Sequence, residues 1–209
     1  MKNFLAVDTS GTHLAVVVGR GEETFSTYIP DCAMKHSVSV MPAVDEALKK
    51  AGLSLGDCDV FSACVGAGSF TGIRIGISVV KGLCLAHKKP SLSVTSFDVI
   101  AYNGIEDEGK KLCLVDALHD AYYVCGYENG NVCYPPAYLE EAEVLALVKE
   151  GYRLYATSSL PIEEKAPVAY VDPVQGLEKA VRKKLEENQL GELTALYVRK
   201  SSAELNLGK

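Results

Sequence analysis

The run Gly66-Ala67-Gly68-Ser69-Phe70-Thr71-Gly72-Ile73-Arg74-Ile75-Gly76 restricts the fold of this chain more than any other stretch. It follows an apolar run at 60–65 and opens a long apolar stretch that ends near Ala86. That order reads as strand, glycine turn and helix. Such a turn leaves backbone N–H groups free at the helix start. It could cradle a phosphate, or it could let the helix pack very close to its own sheet or to a partner. Close packing fits the residues better. Gly72 and Gly76 recur four apart on one helical face, where the missing side chains permit close backbone approach.

A chain of 209 residues with 48% hydrophobic content can bury a core as one large domain or two small ones. Its net charge of −6 argues against independent, non-specific nucleic-acid binding, which needs a basic surface. A role on RNA would then require a basic partner or a local patch. The start, Met1-Lys2-Asn3 followed at once by residues 4–8, lacks a signal-peptide layout. No stretch reaches the ~20 apolar residues expected of a bilayer span. Seven cysteines without a C-x-x-C pair, several inside apolar runs, read as buried free thiols in a reducing cytoplasm.

Residues 4–9, 13–20 and 24–29 are short, β-rich and separated by Ser10-Gly11 and Gly21-Glu22, which predicts an antiparallel three-strand meander. Apolar residues on a 3.6-residue period predict a helix over 34–51, with Pro42 either kinking it or standing near the start of its main part. The helix over 71–87 has a narrow polar strip, Arg74, Ser78 and Lys81, and is apolar elsewhere, so it is expected to be buried on more than one side. A strand at 92–95 and a helix at 96–103 follow. Residues 103–111 read as a linker. Beyond them come a strand pair at 112–118 and 122–128, a helix at 140–149, strands at 153–156 and 168–171, and a helix at 174–187. Residues 129–167 have weak periodicity. The β-β-β-α-β-α order implies an α/β mixed sheet of the ribonuclease H-like type, with a smaller α/β unit after it. The expected division is 1–103 plus about 192–209, and 104–191.

Several elements resemble the bacterial TsaB (YeaZ) family: Leu5-Ala6-Val7-Asp8-Thr9-Ser10, His36-Ser37 before a helix containing Pro42, the glycine run itself, Val80-Lys81-Gly82-Leu83, and the ending Leu196-Tyr197-Val198-Arg199-Lys200-Ser201-Ser202-Ala203-Glu204. Two positions depart from the family pattern. Ala67 stands where Pro is usual, and Ala117-Leu118-His119 where an Arg often follows the aspartate at Asp116. The resemblance implies an actin-like ATPase fold of two subdomains. It also implies a partner subunit that supports a TsaD-type transferase in making threonylcarbamoyladenosine at position 37 of tRNA. A TsaE-type ATPase would join that complex, with ATP and metal on the TsaD-type and TsaE-type partners and none on this chain alone. A homodimer would form in the absence of the partner.

The contact is expected on the 34–51 and 71–87 helices, through Met34, His36, Val38, Met41, Ser69, Phe70, Thr71, Gly72, Ile73, Arg74, Gly76, Ile77 and Val80. Replacing Gly72 or Gly76 by Leu should then abolish association and leave a folded monomer. The TsaD-type relative carries two metal-binding histidines four apart; Ser96 and Ile100 stand at those positions here, beside Asp98. A hydroxyl is a poor transition-metal ligand and an isoleucine is none.

No other catalytic pattern is stronger. The four histidines have no metal-ligand spacing, His36-Ser37 lacks an orienting acid, and no Gly-Lys-Ser/Thr follows the glycine turn. The alternative to a non-catalytic subunit is a nucleotide-dependent ATPase or phosphotransferase of the actin-like superfamily. In that case Asp8, Thr9 and Ser10 would face the nucleotide. A metalloprotease is the remotest reading.

Overall fold

The computed structural model describes residues 2–103 and 109–199. Most of the expected linker, and the end of the chain from Lys200 onward, lie outside the described residues. The chain opens with the expected meander: β1 (Phe4–Asp8), β2 (Leu14–Arg20) and β3 (Glu23–Ile29). Then follow α1 (His36–Ala51), β4 (Val60–Cys64), α2 (Phe70–His87), β5 (Ser91–Val94) and α3 (Ser96–Ala101). The second half holds β6 (Lys111–Asp116), β7 (Ala121–Glu128), β8 (Asn131–Glu140), α4 (Glu141–Lys149), β9 (Arg153–Ala156), a short 3-10 turn at Pro161–Glu164, β10 (Val168–Tyr170) and α5 (Pro173–Glu186).

The first sheet has the order β3-β2-β1-β4-β5, with β1, β2 and β3 antiparallel and β4 and β5 parallel to β1. The second repeats that order as β8-β7-β6-β9-β10, with the same directions. One ribonuclease H-like topology is therefore built twice, which is the layout of an actin-like fold. The long α2 between the fourth and fifth strands of the first sheet is matched in the second by only the 3-10 turn.

Alternation along β1 and β2 sends side chains to two cores, as the two-residue strand period requires. Leu5, Val7, Val16 and Val18 meet α1 and α2, through Val44, Ala47, Ile73 and Val80. Phe4, Ala6, Ala15 and Val17 meet α5, through Leu177, Ala180 and Val181. Both faces are covered, so these strands read as nearly continuous apolar runs. The helix expected to belong to the second unit thus packs on the first sheet. Gly176 lets it lie close to the backbone of α3, because a Cβ there would collide with the carbonyl oxygen of Val99.

Two local expectations change. Pro42 lies at an exposed position inside α1, which already starts at His36, so the main helix does not begin near the proline. The weak periodicity of 129–167 hides β8, a ten-residue edge strand carrying Pro135 and Pro136. An edge strand tolerates proline because its outward N–H groups have no strand to pair with, and the register shifts between Val124 and Gly126 beside those prolines.

Candidate docking face

The β1–β2 hairpin and the start of α2 form one unit. Asp8 ends β1 and accepts at Oδ1 from the Ser10 backbone N–H (2.8 Å) and the Ser10 hydroxyl (2.7 Å). Its Oδ2 lies 3.6 Å from His13 Nε2. Burial by itself would raise the Asp8 carboxyl, but His13 and the two Ser10 donors outweigh it and hold the group below its usual 3.8. Burial would lower His13; the Asp8 carboxylate overcomes this and raises it above its usual 6.5. Each shift favours the charged form of its own group.

Thr9 donates its hydroxyl to the carbonyl of Gly72 (2.7 Å). The Ser69 backbone N–H donates to Ser10 O (2.7 Å), and Ser69 caps α2 by accepting from the Gly72 N–H (3.2 Å). Ser10 Oγ also lies 3.0 Å from Ser96 Oγ, and the Cys64 thiol reaches both hydroxyls.

Three glycines make this contact possible. A Cβ on Gly68, at φ 144°, would strike Ser10 O, one on Gly72 would strike Thr9 O, and one on Gly76 would lie 2.6 Å from Thr9 Oγ1. The expectation that Gly72 and Gly76 offer a bare face to a partner is therefore corrected: α2 spends them on its own hairpin. Asp8, Thr9 and Ser10 are the residues that the alternative ATPase reading would turn toward a nucleotide. All three are buried, and their side chains are engaged inside the chain. The second sheet repeats the first turn in outline: the Leu118 N–H donates to Asp116 Oδ1 at 2.8 Å, as Ser10 does to Asp8. There Leu118, His119 and Asp120 all adopt positive φ without a glycine.

The residues expected at a partner contact fall into two groups. His36, Gly72, Ile73, Gly76, Ile77 and Val80 are buried in this chain's own core. His36 instead anchors the start of α1, with Nε2 2.8 Å from His13 O. Met34 (95% exposed), Val38 (71%), Met41 (38%) and Phe70 (40%) stand outward with Ser69, Thr71 and Arg74. Between α1 and α2 lies an open groove of about 460 Å³, lined by Ser37, Phe70, Thr71, Arg74, Ile75, Ser78 and Val79. Large apolar side chains clustered on one exposed face mark a binding surface.

Arg74 holds the rim. Its guanidinium carbon sits 3.7 Å from the centre of the Phe70 ring, and its Nε donates to Tyr197 Oη at 3.0 Å. The Phe70 and Tyr197 ring centres are 5.0 Å apart. Sequence reasoning missed Tyr197, Ser37, Ile75 and Val79. For Tyr197 no local signal exists, because residues 193–199 join α2 only through the tertiary fold: Leu193 enters the α1/α2 core and the Leu196 N–H donates to Val65 O at 2.8 Å.

The family model described as TsaD, tRNA N6-adenosine threonylcarbamoyltransferase, matches residues 24–202. The chain belongs to this family. Within it the chain is similar to TsaB (YeaZ) proteins. It is 31% identical over 128 residues to the tRNA threonylcarbamoyladenosine biosynthesis protein TsaB of Bacillus subtilis strain 168, a match covering 61% of this chain and 56% of that protein. Against TsaB of Escherichia coli K12 it is 31% identical over 132 residues, covering 61% and 57%. The chain thus spans little more than half the length of the curated relatives it matches. In shape it superposes, at a TM-score of 0.83 and 23% identity, on a crystal structure from Pseudomonas aeruginosa described as an uncharacterized protein with similarity to peptidase YEAZ. That likeness covers 95% of this chain and 100% of the other and supports the fold alone.

The TsaD-type metal site can be tested on this TsaB-like chain's own donors. Ser96 gives its hydroxyl to Ala67 O, and Ile100 lies among Phe97, Cys113 and Cys125. Asp98 is taken by Lys184 Nζ (2.7 Å), Tyr127 Oη (3.1 Å) and the Thr95 N–H (2.8 Å). Among the described residues no group of three His, Cys, Asp or Glu side chains is placed to hold a metal. The positions that the resemblance sets against a metal-binding pair are therefore engaged inside this chain.

Proposed function

We propose that this chain is a non-catalytic partner subunit that docks a TsaD-type threonylcarbamoyltransferase and supports it in forming N6-threonylcarbamoyladenosine on tRNA. One observation carries the reading: an apolar face on α1 and α2, with Met34, Val38 and Phe70 in solvent beside a lined groove. Family membership supplies the kind of partner, since the relatives are described as threonylcarbamoyladenosine biosynthesis proteins. The engagement of Asp8, Thr9 and Ser10 inside the fold favours a docking role over phosphotransfer. On this reading ATP and metal reside on the TsaD-type and TsaE-type partners, the setting is cytoplasmic, and tRNA is reached only through the complex. The same face supports a homodimer when the chain is alone. Co-purification with the TsaD-type subunit, followed by a tRNA threonylcarbamoylation assay with and without this chain, tests it. Product that depends on this chain supports the proposal; equal product in both reactions contradicts it.

A further inference from the structure

We infer that Arg74 is a pre-set reader of one carboxylate, so that the polypeptide settling on the α1/α2 face brings an Asp or Glu side chain into the groove. This rests on the docking reading above and names what the partner must present. Arg74 is exposed, yet its conformation is already chosen. Phe70 stacks on the guanidinium, and Tyr197 takes the Nε–H. Among the described residues no acid pairs with it, although the chain carries 27 acidic residues against 21 basic ones. Among the described residues Nη1 and Nη2 make no hydrogen bond or ion pair, and Thr71 and Ser78 line the same groove as Arg74.

A planar fork with free parallel N–H groups matches a carboxylate bidentately, and fixing the side chain beforehand removes most of the ordering cost of binding. Arginine is also among the residue types enriched at the centres of binding energy of protein interfaces. A free phosphate would suit the fork, but it would leave Val38, Phe70, Ile75 and Val79 uncovered. A carboxylate flanked by apolar side chains satisfies both halves of the face. The occupant is therefore a polypeptide segment with an acid set among apolar residues, carried by the TsaD-type partner.

The test is calorimetric titration of the TsaD-type subunit into wild type, Arg74→Gln, Arg74→Lys, Arg74→Glu and Val38→Asp, each at low and high sodium chloride. Arg74→Gln should weaken binding about 10- to 100-fold. It should also flatten the salt dependence, while the circular dichroism stays that of wild type. Arg74→Lys should recover only part of the affinity, since a point charge replaces a fork. Changing the contacted partner acid to Lys should restore binding to Arg74→Glu. If wild type binds and Val38→Asp does not, but Arg74→Gln binds as wild type with the same salt slope, the carboxylate inference fails and the docking face stands. If wild type does not bind at all, the docking reading fails and takes this inference with it. If Arg74→Gln disrupts only self-association of the chain, the occupant is a second copy and the inference is overturned.

Discussion

The backbone carbonyl of Thr9 occupies the space where Gly72 would carry a side chain, so the start of α2 is locked against the β1–β2 hairpin. Gly72→Leu should therefore unfold or badly strain the first sheet instead of selectively removing a contact surface. The expected loss is about 3 kcal/mol or more, because the collision is with backbone and cannot be relieved by a rotamer change. Urea unfolding followed by circular dichroism checks it. A Gly72→Leu protein as stable as wild type would show that the hairpin and α2 are not coupled.

Gly82 is the opposite case. It lies in the interior of α2, is exposed, and a Cβ there would meet nothing within 4 Å. Gly82→Ala should raise stability by about 0.5–1 kcal/mol, since a mid-helix glycine carries extra backbone entropy. Thermal denaturation should move up by ~1–4 °C for a chain of this size. No upward shift would mean that this glycine serves a contact within the chain.

How much of this was legible beforehand follows from the range of each signal. The three-strand meander, α1 and α2 could be read because alternation and helical period are local. The glycine run was legible as a strand-turn-helix with close approach, but not what approached it. Four-residue spacing puts Gly72 and Gly76 on one face and does not say whether that face meets Thr9 or a stranger. β8 was hidden because Pro135 and Pro136 break its pattern at a sheet edge. The place of α5 on the first sheet, and of Tyr197 beside Arg74, depended on long-range packing that periodicity does not carry. Apolar excess along 34–51 and 71–87 pointed to Met34, Val38, Met41 and Phe70, which are exposed, and equally to Ile73, Ile77 and Val80, which are buried.

The Asp8–His13 pair makes stability depend on pH in a defined direction. His13 is raised above 6.5 in the folded chain, so its contribution is fully present below pH 6.5 and is lost as pH rises through the folded value. Asp8 is lowered below 3.8, so its contribution is present above pH 3.8 and is lost as pH falls through its folded value. The pair is thus complete between about pH 3.8 and 6.5. The difference in unfolding free energy between wild type and His13→Gln should be largest in that window and shrink as pH rises through the folded value of His13. Proton NMR titration of the His13 ring should place its midpoint above 6.5. A midpoint below 6.5 would refute the pairing.

Thiol reactivity should divide the cysteines sharply. Burial pushes Cys58 up to about 11 and Cys125 up to about 12, and it raises Cys64 and Cys113 as well. Cys133 is exposed and Cys84 half-buried. Under native conditions maleimide should label Cys133 first and Cys84 more slowly, while Cys58, Cys64, Cys113 and Cys125 react only after unfolding. Peptide mass spectrometry over time checks this order, and early labelling of Cys64 would contradict the buried hairpin network.

The docking face is tested most directly by sedimentation velocity of this chain mixed with the TsaD-type subunit, comparing wild type with Val38→Asp. Val38 is 71% exposed, so the substitution should leave the fold intact while placing an unpaired charge on the apolar face. Wild type should sediment with the subunit as one heterodimer, and Val38→Asp should leave two separate species. A Val38→Asp chain that sediments in the same heterodimer as wild type would contradict the assignment of α1 and α2 as the docking surface.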